Sequence, residues 1–253
     1  MKEKVEKIVE WIKRKVKEAN ADGVIVGLSG GIDSSCVAIL CKKAFPNNVK
    51  GVMMPCLSNP EDIEHAELIA NKFIIPFEIV DLEEGFKTLF KSINNEIYDK
   101  RKHNNLAVAN IKPRLRMTTL YYLANKLNYL VVGTDNKSEE MIGYFTKYGD
   151  GGVDISPIVN LYKKDVRELA EFLEIPKNII TKKPSAGLWD GQTDEDEMGM
   201  SYEELDEILE ELEQNNNFES FKEDNVRKVK EMISKSEHKR RIPFGCKLNG
   251  ELK

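Results

Sequence analysis

The chain has 253 residues, enough for one large α/β domain with a full core, and we read residues 1–253 as that single domain. Lys and Arg total 38 against 43 Asp and Glu, and the net charge of −5 excludes a global basic field for nucleic acid. No run approaches the ~18 apolar residues of a membrane span. The charged start, Met1 to Glu10, has no apolar signal core, and four cysteines without a C-x-x-C pair read as reduced thiols of a cytoplasmic protein. His65, His103 and His238 are scattered and form no zinc constellation.

Val5, Ile8, Val9, Ile12 and Val16 recur at helical spacing and predict an amphipathic leading helix. Gly23 to Leu28 is a short, β-branched apolar run, the pattern of a buried strand. Val37, Leu40, Cys41 and Ala44 then predict a helix over 34–45. A second strand is expected at 49–54, followed by a helix that Asn59 caps and Pro60 opens, with Ile63, Ala66, Ile69 and Ala70 turned inward. Phe77 to Val80 reads as a third strand, and Phe86, Leu89, Phe90 and Ile93 mark a helix over 82–97. Residues 104–128 read as mostly helical, with Pro113 able to open the second part, and Tyr129 to Gly133 as the fourth strand.

This alternation predicts a doubly wound, mostly parallel sheet with helices on both faces. Residues 134–154 hold few aliphatic side chains and four glycines, a poor core segment and a good site segment. Helices are expected over 163–173, 202–212 and 218–236, and a long mobile loop over 181–200 that closes on bound ligands. The acidic run Glu203, Glu204, Asp206, Glu207, Glu210 and Glu211 reads as a solvated helix face.

The chemistry gathers at Gly27–Leu28–Ser29–Gly30–Gly31–Ile32–Asp33–Ser34–Ser35, a strand-to-helix turn. Its glycines permit positive φ and close backbone approach, and the helix start offers unpaired N–H groups to a phosphate. It is neither a Walker loop nor a G-x-G-x-x-G turn. Asp33 would repel a phosphate unless a cation such as Mg²⁺ lay between them. Ligands collect beyond the carboxyl ends of parallel strands, so 27–35 and 133–139 are expected to share one crevice.

Ser29 to Ser34 resembles the SGGxDS loop of the PP-loop ATP pyrophosphatases, which cleave ATP between the α- and β-phosphates. Gly143–Tyr–Phe–Thr–Lys–Tyr–Gly–Asp–Gly–Gly–Val–Asp154 is far more specific and resembles the GFFTKYGDGGxD signature of NAD synthetases. Lys112 to Met117, Gly133–Thr134–Asp135 with Glu139, Pro157 to Lys163, Lys183 to Ala186 and His238 to Arg241 match in the same order, so the resemblance spans nearly the whole chain. With no amidase-sized segment before or after, the expectation is the ammonia-dependent form, a homodimer whose substrates are deamido-NAD, ATP and ammonia.

The resemblance implies ATP contacts at Gly27, Leu28, Ser29, Gly30, Gly31, Ile32, Asp33, Ser34, Thr134, Lys163 and Ser185. It implies Mg²⁺ on Asp33 and Glu139, and deamido-NAD contacts at Arg114, Lys147, Asp154, His238 and Lys239. Lys163 would offset phosphate charge, and Asp150 is the candidate to accept a proton from ammonium; capping a Gly-rich turn is the other reading of Asp150. Taken alone, Lys163 reads as a surface lysine and Arg116 as a salt-bridge partner.

Ser185 stands where members often have Thr, and Gly187 where many have Asp. Met54 to Ser58 replaces a longer stretch with arginine or tyrosine, which leaves the adenine contacts open. A PP-loop RNA-modifying enzyme would want a basic surface and cysteine pairs. A non-catalytic nucleotide-binding module would have no use for Asp33, Glu139 and Lys163 together.

Overall fold

The computed structural model describes residues 1–103, 105–185, 187, 191–214, 217–243 and 245–246. In chain order the elements are α1 (Lys2–Glu18), β1 (Gly23–Gly27), α2 (Ile32–Ala44), β2 (Val49–Met53), α3 (Pro60–Lys72), β3 (Phe77–Ile79) and α4 (Glu83–Asn94). Then come α5 (Leu106–Ala109), α6 (Ile111–Leu127), β4 (Tyr129–Val132), α7 (Lys137–Ile142), α8 (Lys163–Phe172) and α9 (Lys177–Ile180). Short α10 (Asp194–Met198) precedes α11 (Tyr202–Gln214) and α12 (Glu223–Ser236), and the 3₁₀ turn Glu237–Lys239 follows.

The four strands pair in parallel in the order β3–β2–β1–β4. The chain runs outward from β1 through β2 to β3 and then crosses to β4 on the other side, so the loops leaving β1 and β4 diverge above one crevice. Alternation along β1 explains the layers: Val24 and Val26 meet Ile12, Leu40 and Leu169 from α1, α2 and α8. Ile25 points the other way, with Val52 and Val131, onto Leu120 and Ala124 of α6. A satellite core joins Ile142, Tyr162, Tyr202, Leu205, Leu209, Val226 and Val229 from α7, α11, α12 and the turn before α8. No helix among the described residues is long and apolar enough to cross a membrane.

The expected sheet and its covering helices are present, and Asn59 accepts from Glu61 N–H at 3.2 Å to cap α3. Pro113 stands at the third position of α6, where its missing N–H has no intrahelical partner to lose. Three differences concern the second half. Residues 134–154 contain α7, because Asn136 and Glu139 form a capping box. Residues 181–200 contain α10, which Thr193 caps by accepting from Asp196 N–H at 3.2 Å. The last helix starts at Glu223, since Phe218 and Phe221 form a turn that packs on the satellite core. Asn104, Ala186 and Leu188 lie outside the described residues.

Leu40 is fully buried between α2 and the sheet. Leu40→Ala should lower stability by about 2–5 kcal/mol through lost transfer energy and a residual cavity. Urea unfolding checks this as a lower midpoint with an unchanged slope.

Candidate active site

The first turn of α2 has Gly31 at its N-cap and no side-chain cap, so its leading amides are left to the crevice. The loop before it is held by hydroxyls. Ser34 Oγ donates to Gly31 O at 3.0 Å and lies 3.0 Å from Ser29 Oγ, and Ser35 Oγ donates to Gly31 O at 2.8 Å. Gly30 has φ +78°, and a Cβ there would stand 2.1 Å from Asp62 O, so both conformation and space demand glycine.

Asp33, Glu139 and Lys163 meet at one point. Lys163 Nζ donates to Asp33 Oδ2 at 2.7 Å and to Glu139 Oε1 at 3.0 Å, with the lysine 2% exposed. These residues stand in the first turns of α2, α7 and α8, so three positive helix ends converge there. Burial alone would lower the Lys163 ammonium, but Asp33 and Glu139 outweigh it and hold it above the usual lysine range. Burial raises the Glu139 carboxyl, with Lys163 opposing.

A second layer positions this triad. Asn136 Nδ2 donates to Asp33 Oδ1 at 2.9 Å while its Oδ1 accepts from Glu139 N–H at 3.1 Å. Ser138 Oγ accepts from Lys163 N–H at 3.0 Å and donates to Asp206, which also accepts from Lys164 N–H at 2.9 Å. Asp206 is 1% exposed, which corrects the reading of the acidic run as wholly solvated: this one carboxylate seats the start of α8. The Tyr202 hydroxyl stands 3.1 Å from Glu139 Oε1 and 3.0 Å from Asp194 Oδ2. Sequence reasoning missed Asn136, Ser138, Tyr202 and Asp194. Only Asn136 carried a local signal, its capping spacing to Glu139.

The triad lies in a cleft of about 1270 Å³ that is also lined by Thr134, Asp150, Ser185, Arg114, Lys147, His238 and Lys239. The tail reaches it from far along the chain. Lys147 Nζ donates to His238 O at 2.5 Å, and Lys239 Nζ donates to Gly143 O and Phe145 O, both at 2.7 Å. Gly143 has φ +68° and would place a Cβ 2.1 Å from Ser236 Cβ, so the α7 end and the tail pack only around glycine. Arg114 Nη2 approaches Lys147 O at 3.4 Å.

Asp150 accepts from Thr146 N–H at 3.1 Å and so caps its own turn, yet its carboxylate faces the cleft. Crowding by protein raises its carboxyl, against the Thr146 bonds and Arg116. Asp135 is raised as well, by burial and then by the nearby Asp150 charge. Among the described residues Arg116 makes no ion pair: Nε donates to Met54 O at 3.1 Å and Nη2 to Ser58 Oγ at 3.3 Å. Asp154 is placed apart from this cleft. Its oxygens accept from Val131 N–H at 2.8 Å and Tyr121 OH at 2.9 Å.

About 300–1,000 Å³ suffices for a drug-sized ligand, so this cleft has room for more than one. Its uncapped helix start suits phosphate, and its charged triad and carboxylates suit group transfer. Known proteins share this architecture. The profile of the NAD synthase family matches residues 4–243. An NH(3)-dependent NAD(+) synthetase of Carboxydothermus hydrogenoformans is 54% identical over 95% of this chain and 96% of its own length. Solved structures superpose closely: an NMN synthetase from Francisella tularensis (TM-score 0.88, 34% identity, 97% of this chain and 98% of that one) is one. Another is an NH3-dependent NAD synthetase from Campylobacter jejuni in complex with the nitrate ion (TM-score 0.82, 31% identity, 97% and 99%). The chain therefore belongs to the NAD synthase family.

Proposed function

We propose that this chain converts deamido-NAD to NAD with ammonia, spending ATP to activate the carboxylate. The observation that carries this reading is one cleft in which Lys163 joins Asp33 and Glu139 beside an uncapped helix start, facing the 143–150 turn and the docked tail. A carboxylate is a poor electrophile, so its oxygen attacks the α-phosphorus of ATP, and the bond to the β-phosphate oxygen breaks to release pyrophosphate. Ammonia then attacks the carbonyl carbon, the bond to the AMP oxygen breaks, and the nitrogen gives up a proton.

Each part of the cleft has a task in this sequence. The amides and hydroxyls of 29–34 hold the departing pyrophosphate, with Thr134 and Ser185 as further hydroxyl donors. Lys163 offsets phosphate charge. Arg114, Lys147, His238 and Lys239 bind deamido-NAD from the wall and the tail. Asp150, at the cleft-lining turn beside Thr146, accepts the proton from nitrogen.

Mg²⁺ fits this donor set. Asp33 and Glu139 offer hard oxygens from the first turns of α2 and α7, brought together at Lys163. Two carboxylates plus substrate phosphates is the arrangement Mg²⁺ favours. Bound there, it would screen the charge that Asp33 presents to the phosphates. The free cysteines Cys36, Cys41, Cys56 and Cys246 support a reducing, cytoplasmic setting.

A homodimer accounts for Asp154. It stands outside its own cleft, held by Tyr121, and the adjoining Tyr122 is 67% exposed. We assign Asp154 to the partner's deamido-NAD site. If so, a chain carrying Asp154→Ala mixed with one carrying Arg114→Ala should recover up to about a quarter of wild-type activity through mixed dimers with one intact site. No recovery, with exchange of chains verified by mass, would remove Asp154 from that role.

The name of the Francisella tularensis protein favours a second substrate, deamido-NMN. A substrate matrix decides: purified chain with ATP, Mg²⁺ and ammonium should make NAD from deamido-NAD faster than NMN from deamido-NMN, and should be inactive with glutamine. The reverse order for the two nucleotides would reassign the substrate, and no amide from either would sink the reading.

The proton step has its own test. Only free NH₃ is nucleophilic, so the apparent requirement for total ammonium should fall as pH rises. Asp150→Asn should slow amide formation about 10²–10⁴-fold while adenylate formation is largely kept. Rapid-quench measurement of each half-reaction checks this, and equal slowing of both would leave Asp150 as a turn cap.

A further inference from the structure

Arg116 is the one cleft-lining guanidinium that sequence reasoning left without a task. It stands on α6 with two of its donors committed, Nε to Met54 O at 3.1 Å and Nη2 to Ser58 Oγ at 3.3 Å. Both partners are neutral. Among the described residues it makes no ion pair, and burial pulls its guanidinium below the usual arginine range. A half-buried guanidinium held by two neutral acceptors keeps donors and charge for an anion that arrives with a ligand.

Two sets of contacts fix where that anion would sit. On one side, Met54 reaches the start of the phosphate loop, its Cε 3.3 Å from where a Cβ on Gly27 would be. On the other, α6 packs directly on the turn that carries Asp150. Pro113 Cβ lies 3.0 Å from a Cβ built on Gly149, and Met117 Cγ lies 3.2 Å from one on Gly152. Arg116, between Pro113 and Met117 on this wall, is thereby set beside Asp150, and each lies in the other's field without forming a pair. Asp62, beside Gly30, adds a second carboxylate in range.

The amidation reading, on which this inference rests, puts the nitrogen next to Asp150 at the moment of attack. The carbon it attacks is one oxygen away from the α-phosphorus. A cation set between Asp150 and the loop that takes the pyrophosphate is placed for the phosphate that lies between those two points, the α-phosphate of ATP. We propose that Arg116 is a catalytic residue that binds the α-phosphate of ATP, and then of the acyl adenylate, through the guanidinium donors left facing the cleft. Charge builds on the non-bridging oxygens of that phosphate as the carboxylate attacks, and again on AMP as it leaves with the bonding electron pair. A planar guanidinium held by two neutral contacts is already oriented for both moments. Asp150 and Arg116 then divide the acyl carbon between them, the proton acceptor on the side of the entering nitrogen and the cation on the side of the leaving phosphate.

The test uses the full chain and reads the first half-reaction by exchange of labelled pyrophosphate into ATP in the presence of deamido-NAD. Wild-type chain that fails to exchange would overturn the amidation reading itself, separately from any result on Arg116. Given wild-type exchange, Arg116→Gln should lower its rate by about 10²–10³-fold, with ATP affinity changed far less. Arg116→Lys should keep part of the rate, and millimolar guanidinium should restore part of it to Arg116→Ala. A contact to the α-phosphate also distinguishes the two α-thio diastereomers of ATP, so the wild-type preference between them should shrink in Arg116→Gln. Wild-type exchange in Arg116→Gln overturns the proposal. So does a loss of rate with the diastereomer preference intact, because that is what a purely structural clamp on Met54 and Ser58 would give. Thermal melting confirms that each variant folds; should Arg116→Gln fail to, the diastereomer preference of Arg116→Lys is read by the same criteria.

Discussion

Lys163 held between Asp33 and Glu139 is the contact on which the rest of the cleft depends. With the ammonium 2% exposed, the pair distances of 2.7 and 3.0 Å matter more than they would at the surface. Two unit charges 4 Å apart attract by about 4 kcal/mol at an effective dielectric of 20, and most of that offsets desolvation. Removing one partner of such a buried set costs about 3–5 kcal/mol because an uncompensated charge is left behind. The triad is therefore weak evidence for stability and strong evidence for constraint. It ties together the first turns of α2, α7 and α8, which belong to three different stretches of the chain.

That constraint explains the second layer. Glu139 is useful only if its carboxylate points back at Asp33, and Asn136 enforces this by capping α7 and donating to Asp33 at once. Lys163 is useful only if α8 begins where it does, and Ser138 with Asp206 hold that start. Asp206 comes from α11, so the satellite core is more than a cover for the sheet. Its packing of Tyr202, Leu205 and Leu209 sets where Asp206 and the Tyr202 hydroxyl stand relative to the triad. Asp194, from the short α10, reaches the same hydroxyl, and the 181–200 segment is thereby linked to the charged centre.

How much of this was legible follows from range. Val24, Ile25 and Val26 announced a strand buried on both faces, and the loop after it announced a phosphate site, because both signals are local. The pairing of 27–35 with 133–139 was legible too, since both stretches follow strand ends of one parallel sheet, beyond which ligands collect. The seating of Asp206 was not. On a helix reading Glu-Glu-Leu-Asp-Glu, nothing local separates the buried carboxylate from its solvated neighbours; only the placement of α11 against α7 and α8 does. Arg116 and Lys163 mislead in the same way when read singly, as a salt-bridge partner and a surface lysine. Lys163 is buried between two carboxylates, and Arg116 makes no ion pair among the described residues. Asp154 shows the converse limit, a residue matched by its motif whose carboxylate is occupied by Val131 and Tyr121 in its own chain.

The cleft divides electrostatically by what its lysines are bound to. Lys163 is matched by two carboxylates, so it adds no surplus positive charge to the phosphate-loop half, and a triphosphate there draws on the helix amides and a further cation. Lys147 and Lys239 are bound instead to backbone carbonyls, at 2.5 and 2.7 Å. A carbonyl orients an ammonium without neutralising it. Among the described residues neither amine is paired with a carboxylate, and with Arg114 they line the tail half of the cleft with oriented basic groups. Burial lowers the Lys239 ammonium, and the Asp150 charge opposes that shift. A dinucleotide whose pyrophosphate has no metal of its own suits that half, and a nucleotide triphosphate that brings one suits the other. The asymmetry follows from the bonding of three lysines, and it gives the proposed two-substrate cleft two electrostatically distinct ends.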